Sequence, residues 1–245
     1  MIKYRPIKED LAELFGYSEE DIVKYTQREF FTNRIREEWA SLNPKTQEDL
    51  YKFYAKSEGV FWEGVASIGY NADGSELVEP FKRVAEEYKN RCNTVLDYGC
   101  GIPTYGLTFH NLGYEVTLAD VPGKMFDLIK YRMVKQERRD IKFVDITQKY
   151  PLKESYDITI CQDVLEHVKD PVDVLKHLYA HTNKLILMEV YFDWGGGMVP
   201  QHLHENYLRY NDPDVWAKIV KDIGLKCIWW DQNGVPKLFI KESER

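Results

Sequence analysis

The chain has 245 residues, 44% of them apolar and 30% charged, with a net charge of −7. That is ordinary globular composition with ample material for a core, and its acidic balance excludes a nucleic-acid partner gripped through its phosphates, which needs a basic face. No apolar run approaches the roughly 20 residues that span a bilayer, and the start Met1-Ile-Lys-Tyr has no signal-peptide core, so no membrane partner and a cytoplasmic location are expected.

Most of the negative charge falls in residues 1–80, with 10 Lys/Arg against 16 Asp/Glu. This region reads as helices. Ser18-Glu-Glu-Asp21 is a capping-box start, followed by Ile22, Val23, Phe30, Phe31, Ile35 and Trp39 at near-helical spacing up to Asn43-Pro44. A shorter helix runs from Thr46 to about Lys56. The glycine-punctuated segment Gly59–Tyr70 has little helical period and reads as a loop. Phe30, Phe31, Trp39, Tyr51 and Phe53 either pack among themselves and on the rest of the chain or help form a lid. Residues 1–75 are therefore expected to be a helical cap, and residues 76–245 the main domain.

An amphipathic helix over 77–90 leads into a regular alternation of strands at 94–97, 114–119, 141–144, 156–161 and 184–190, with helices at 103–112, 123–136, 171–181 and 213–223. Alternation of this kind predicts an α/β, Rossmann-like, doubly wound and mostly parallel sheet. The closing strands 225–231 and 236–241, joined at Asn233-Gly234, predict a C-terminal antiparallel hairpin. Four cysteines, Cys92, Cys100, Cys161 and Cys227, show no C-x-x-C spacing, which suggests neither a zinc framework nor disulfides.

The stretch Val95-Leu96-Asp97-Tyr98-Gly99-Cys100-Gly101-Ile102-Pro103 is a strand, a tight glycine turn and a helix start, the layout of a nucleotide-type cofactor site. Asp120 ends the next strand at the offset where an acid meets ribose hydroxyls. Pro103 stands where a dinucleotide's pyrophosphate would seek a backbone N–H, so a cofactor without phosphates is favoured. The ordered series Asp97-x-Gly99-x-Gly101, Asp120, Phe143-Val-Asp145-Ile146 and Tyr156 to His167 resembles the class I S-adenosylmethionine-dependent methyltransferases over about residues 80–241, departing at Pro103. The run Asp163-Val-Leu-Glu166-His167 is similar to that of polyprenyl-quinol O-methyltransferases.

The resemblance implies S-adenosylmethionine as cofactor and methyl transfer to a small molecule. It implies that Asp97 orients the glycine loop or the methionine amino group, Asp120 accepts from the ribose, Asp145 accepts from the adenine amino group, and Val121 and Ile146 flank the ring. Gln162 belongs to the loop that faces the transferred methyl. Asp163, Glu166 and His167 stand at i, i+3 and i+4; if that turn is helical they share one face, where they could hold a divalent ion or supply a base. Asp163, His167, His202 and His204 are the catalytic candidates, and Gly195–Gly197 with Tyr191, Phe192 and Trp194 suits a flap over the acceptor. A non-catalytic methyltransferase-like protein and a dinucleotide-dependent oxidoreductase stay open as alternatives, as does the oligomeric state.

Overall fold

The computed structural model describes residues 6–71, 78–192, 200–230 and 237–241. The expected glycine flap at 195–197 and the turn at Asn233-Gly234 lie outside the described residues. Seven strands form one sheet: β1 (Thr94–Tyr98), β2 (Glu115–Asp120), β3 (Lys142–Asp145), β4 (Tyr156–Gln162), β5 (Thr182–Glu189), β6 (Leu225–Trp230) and β7 (Lys237–Lys241). Their order is β3-β2-β1-β4-β5-β7-β6. The first five are parallel, and β7 runs antiparallel to both β5 and β6. The mostly parallel sheet with antiparallel closing strands is thus as expected.

Parallel strands covered on both faces need apolar residues on both. Along β1, Val95 joins a core with Phe81, Phe109, Leu118, Ile158 and Leu187, while its neighbour Leu96 joins a second core with Ala119, Leu165, Leu175, Ile186 and Trp216. The helices that cover these faces include α6 (Glu79–Tyr88), α7 (Thr104–Asn111), α8 (Lys124–Lys135), α9 (Pro171–Ala180) and α11 (Pro213–Ile223). Several start and stop where side-chain chemistry dictates. Asp170 and Asp212 each accept a backbone N–H in the first turn of α9 and α11, and Gly224 ends α11 in the left-handed conformation.

The N-terminal helices are α1 (Ile7–Phe15), α2 (Glu19–Tyr25), α3 (Arg28–Leu42), α4 (Gln47–Lys56) and α5 (Glu58–Asn71). The capping box at Ser18 and Asp21 forms as read, and Thr46 and Asp49 make a second one. The long run expected from Ser18 to Trp39 is broken: α2 stops at Tyr25, where the Thr26 hydroxyl turns back onto the Ile22 carbonyl at 2.7 Å. The expected loop at Gly59–Tyr70 is a helix, α5. Its glycines mark close approach rather than turns, because a Cβ on Gly59 would lie 2.6 Å from the Ile35 backbone nitrogen of α3. That approach lets Phe61, Trp62 and Val65 enter a third core with Leu11 of α1 and Leu128 of α8. Burying a phenylalanine or leucine there contributes about 1.5–3 kcal/mol each.

Polar contacts fasten these helices to α8. Asp10 and Arg132, both buried, form an ion pair between α1 and α8. Lys124 bridges to Glu58 at 2.6 Å and also bonds the Tyr17 hydroxyl. Trp39 meets Phe53 edge to face at 5.0 Å, so the packing role expected for these two aromatics is what they perform.

Candidate active site

Sheet register brings the carboxyl-terminal strand ends to one rim. Asp120 and Asp145 pair across β2 and β3, Gln162 and Glu189 pair across β4 and β5, and Asp97 sits next to the end of β1 between them. The strand order reverses between β1 and β4, which makes this rim the switch point where ligands of such sheets bind.

The glycine turn is built by these acids. Gly99 and Gly101 take φ of +66° and +44°, and the N–H of Gly99 donates to the Ala119 carbonyl at 2.8 Å. Gly101 donates to Asp120 Oδ2 at 2.6 Å, and Val121 donates to Asp120 Oδ1 at 2.6 Å. Asp97 is buried and accepts from Gly106 N–H at 2.9 Å, which fixes the first turns of α7 against β1. Pro103 caps α7 from outside, as its missing N–H permits. Gly99→Ala should cost about 2–4 kcal/mol, since a left-handed alanine is strained and its Cβ would overpack at 2.5 Å from Val164 Cγ2. Urea unfolding monitored by circular dichroism measures this, and a loss under about 1 kcal/mol would contradict the geometry.

Asp145 accepts from the Thr147 N–H and hydroxyl at 2.8 and 2.7 Å and is exposed at the end of β3. Ile146 is buried in the second core, where Val121 packs beside it. Gln162 ends β4 with both amide atoms buried and, among the described residues, without a hydrogen-bond partner, at the centre of the rim.

The loop after β4 departs from the expected helical face. Asp163 is left-handed, with φ of +53°, and the short 3-10 turn begins only at Leu165. Asp163 is exposed, while Glu166 is buried, its Oε1 accepting from Tyr191 N–H at 3.1 Å. His167 Nδ1 lies 3.0 Å from the Gln201 carbonyl. His202 joins this group, its ring 4.7 Å from that of His167 and nearly perpendicular to it. His204 does not: it opens α10 (His204–Tyr210), is exposed, and stacks on Tyr207.

Crowded acids perturb one another. Burial raises Asp97 to about 7, with Asp120 adding repulsion. Burial and then Glu166 raise Asp163 to about 7, and Glu189, which accepts from the Tyr191 hydroxyl at 2.5 Å, is raised to about 7 mainly by burial. Burial also lowers His167 to about 4, so its ring is neutral at pH 7.

Sequence reading expected an N-terminal cap but named neither Tyr54, Glu63 nor Gln47. Tyr54 of α4 packs edge to face on His167 at 5.8 Å, and its buried hydroxyl has no hydrogen-bond partner among the described residues. Burial raises its pKa, followed by the charges of Glu63, Glu166 and Asp120. Glu63 of α5 is itself raised to about 6 by burial. Gln47, at the start of α4, accepts from the Lys169 N–H at 2.9 Å. The available signal was local: Tyr51 and Tyr54 stand on α4 at i and i+3, off the face that buries Leu50 and Phe53.

Residues 96–184 match a family model described as a methyltransferase domain. No curated protein matches the chain. Among solved structures, the fold is similar to an O-methyltransferase family protein from Burkholderia thailandensis, with a TM-score of 0.61 at 16% identity over 94% of this chain and 75% of that one. It is also similar to magnesium protoporphyrin IX methyltransferase from Synechocystis PCC 6803 bound to its methyl donor, with a TM-score of 0.51 at 17% identity over 92% of this chain and 98% of the other. A third likeness is to an amino pentose methyltransferase from Micromonospora echinaspora, with a TM-score of 0.52 at 10% identity over 72% and 96%. The family match spans the glycine turn, the acids that end β2 and β3 and the loop after β4, on a fold like that of these methyltransferases.

The rim fits S-adenosylmethionine. Gly101 offers open space where a side chain would stand, the Gln162 amide stands buried at the centre, and the raised Asp97 suits a ligand bearing an ammonium. A cation beside groups raised to about 7 lowers them, so binding should expel protons near neutral pH. Affinity for S-adenosylmethionine is accordingly expected to rise from pH 6 to pH 8 and then level off. Calorimetry in two buffers of different ionisation enthalpy checks this; proton uptake on binding would contradict it.

Proposed function

We propose that the protein transfers the methyl group of S-adenosylmethionine to a small-molecule acceptor, with residues 1–75 acting as a cap that closes the acceptor space above the domain of residues 76–245. The observation that carries this reading is the convergence of the α4 side chain Tyr54 on the charges of Asp120 and Glu166 at the strand rim. A hydroxyl buried between the N-terminal helices and the rim offers a polar contact away from water, which suits a small acceptor and the dry surroundings that methyl transfer requires. The structural neighbours named for magnesium protoporphyrin IX and for an amino pentose act on small molecules, which supports the same reading. Among the described residues no disulfide joins the four cysteines, which supports a reducing compartment such as the cytoplasm. Among the described residues no helix is long and apolar enough to cross a membrane.

When bound, S-adenosylmethionine supplies an electrophilic methyl on a positively charged sulfur. Asp97, through Gly106, and Asp120, through Gly101, hold the turn that receives it, while Asp120 and Asp145 offer carboxylates to hydroxyl and amino groups. Val121 and Ile146 present the apolar surface for a ring. Gln162 supplies the amide at the centre of the cleft. Asp163, exposed and raised to about 7, is the group best matched to take an acceptor's proton at neutral pH. His167, lowered to about 4, is the weaker base. His202 stands against it, and the exposed His204 stacks on Tyr207 instead.

Asp120→Ala tests the cofactor assignment. It removes charge-assisted hydrogen bonds worth about 1.5–3 kcal/mol, so affinity for S-adenosylhomocysteine should fall about tenfold to a hundredfold. Calorimetry on the folded variant measures it, and unchanged affinity would place the cofactor elsewhere.

A further inference from the structure

Glu166, His167 and His202 each offer a donor atom, and these atoms all lie within 4.8 Å of one another. Hydrogen bonds fix the side chains of Glu166 and His167 and the backbone on either side of His202. The Gln201 carbonyl can only accept, so His167 Nδ1 carries the proton and Nε2 presents its lone pair to the cluster. A ligating imidazole is commonly fixed through its other nitrogen in this way. His202 stands between two anchored residues: Gln201 receives the His167 proton, and the Leu203 N–H donates to the Glu166 carbonyl at 3.1 Å. Asn206 Nδ2 ties the same segment to the Val168 carbonyl at 2.7 Å. The Tyr191 N–H donates to Glu166 Oε1 at 3.1 Å, which fixes the carboxylate that offers the third donor atom.

We propose that these three side chains bind one divalent transition-metal ion of the zinc type. Two imidazoles with one carboxylate match the borderline character of that ion, whereas magnesium and calcium prefer all-oxygen sets. Donors bound at roughly 2.0–2.2 Å to a tetrahedral ion stand roughly 3.3 Å apart, so closing the cluster takes a side-chain movement on the order of 1 Å. The surrounding charge favours a cation, since Asp163 and Glu189 both lie in the electrostatic reach of Glu166. Tyr54 covers His167 from the N-terminal side. Three protein donors leave the fourth position of a tetrahedral ion for water or an acceptor oxygen. The site stands on its own geometry and does not depend on which acceptor is methylated.

The test uses the full chain, stripped with chelator and titrated with Co²⁺ as a visible probe. One Co²⁺ per chain is expected, with visible absorption bands that Zn²⁺ abolishes by competition. His202→Ala and Glu166→Gln, each shown to be folded by its retained affinity for S-adenosylhomocysteine, should weaken Co²⁺ binding by about a hundredfold or more, beyond the effect of losing an outer hydrogen-bond partner. Absence of stoichiometric Co²⁺ in the unmodified protein overturns the proposal whatever the variants do. So does full binding in both variants, or a sulfur-to-cobalt charge-transfer band, which would place the ion at the exposed Cys227.

Discussion

Asp163→Asn is expected to slow methyl transfer by about 10²–10⁴-fold, the range for losing a positioned general base, while affinity for S-adenosylhomocysteine stays within a few-fold. Asparagine keeps the size of the side chain and tolerates the left-handed backbone that Asp163 adopts, so the loop should not move. What disappears is the exposed carboxylate that follows Gln162 at the end of β4, whereas Glu166 is buried. The unmodified enzyme should show kcat/KM rising with pH through about 7, as Asp163 loses its proton and becomes able to accept one. In the variant that limb should vanish. Single-turnover rates across pH 5.5–8.5 read both effects. A variant with normal rates would mean that the acceptor arrives already carrying a free lone pair and needs no base.

The second large effect is on the fold. Arg132→Ala should destabilise the protein by about 3–5 kcal/mol, because it leaves the carboxylate of Asp10 buried beside α8 without its ion-pair partner. Asp10 is fully buried and Arg132 nearly so. The double change Asp10→Leu with Arg132→Met should recover most of that loss, since apolar side chains of similar volume avoid the desolvation cost. Urea unfolding of the three proteins measures both statements. If the single variant loses under about 1 kcal/mol, α1 is not held on α8 by this pair. A marked loss that also lowers turnover, with cofactor affinity kept, would tie the docking of the cap to catalysis.

The contrast between these residues shows what was legible in the chain. Asp120 and the turn from Asp97 to Gly101 could be read from spacing, because a strand, a tight turn and a helix are local and leave their period and their glycines in the sequence. Asp163 could be picked out by position but not by conformation. Its left-handed backbone depends on the loop packing over Glu189, whose carbonyl receives the Asp163 N–H at 3.3 Å. Asp10 carried no signal, since a buried acid in an amphipathic helix looks like any other surface charge until its partner 122 residues away is placed.

Local order along the chain was enough to determine the alternating sheet, the antiparallel closing strands, the glycine turn and the row of acids at strand ends. Each of these follows from side-chain period, from the φ that glycine allows, or from the rule that ligands sit where parallel strands end. Tertiary structure alone decided that Gly59 belongs to a helix, because close approach to Ile35 favours a glycine as strongly as a turn does. It alone brought His202 rather than Asp163 beside Glu166 and His167, and set Tyr54 above them. Those groups meet through packing between segments far apart in sequence, and no pattern confined to one segment records which distant surface it will face.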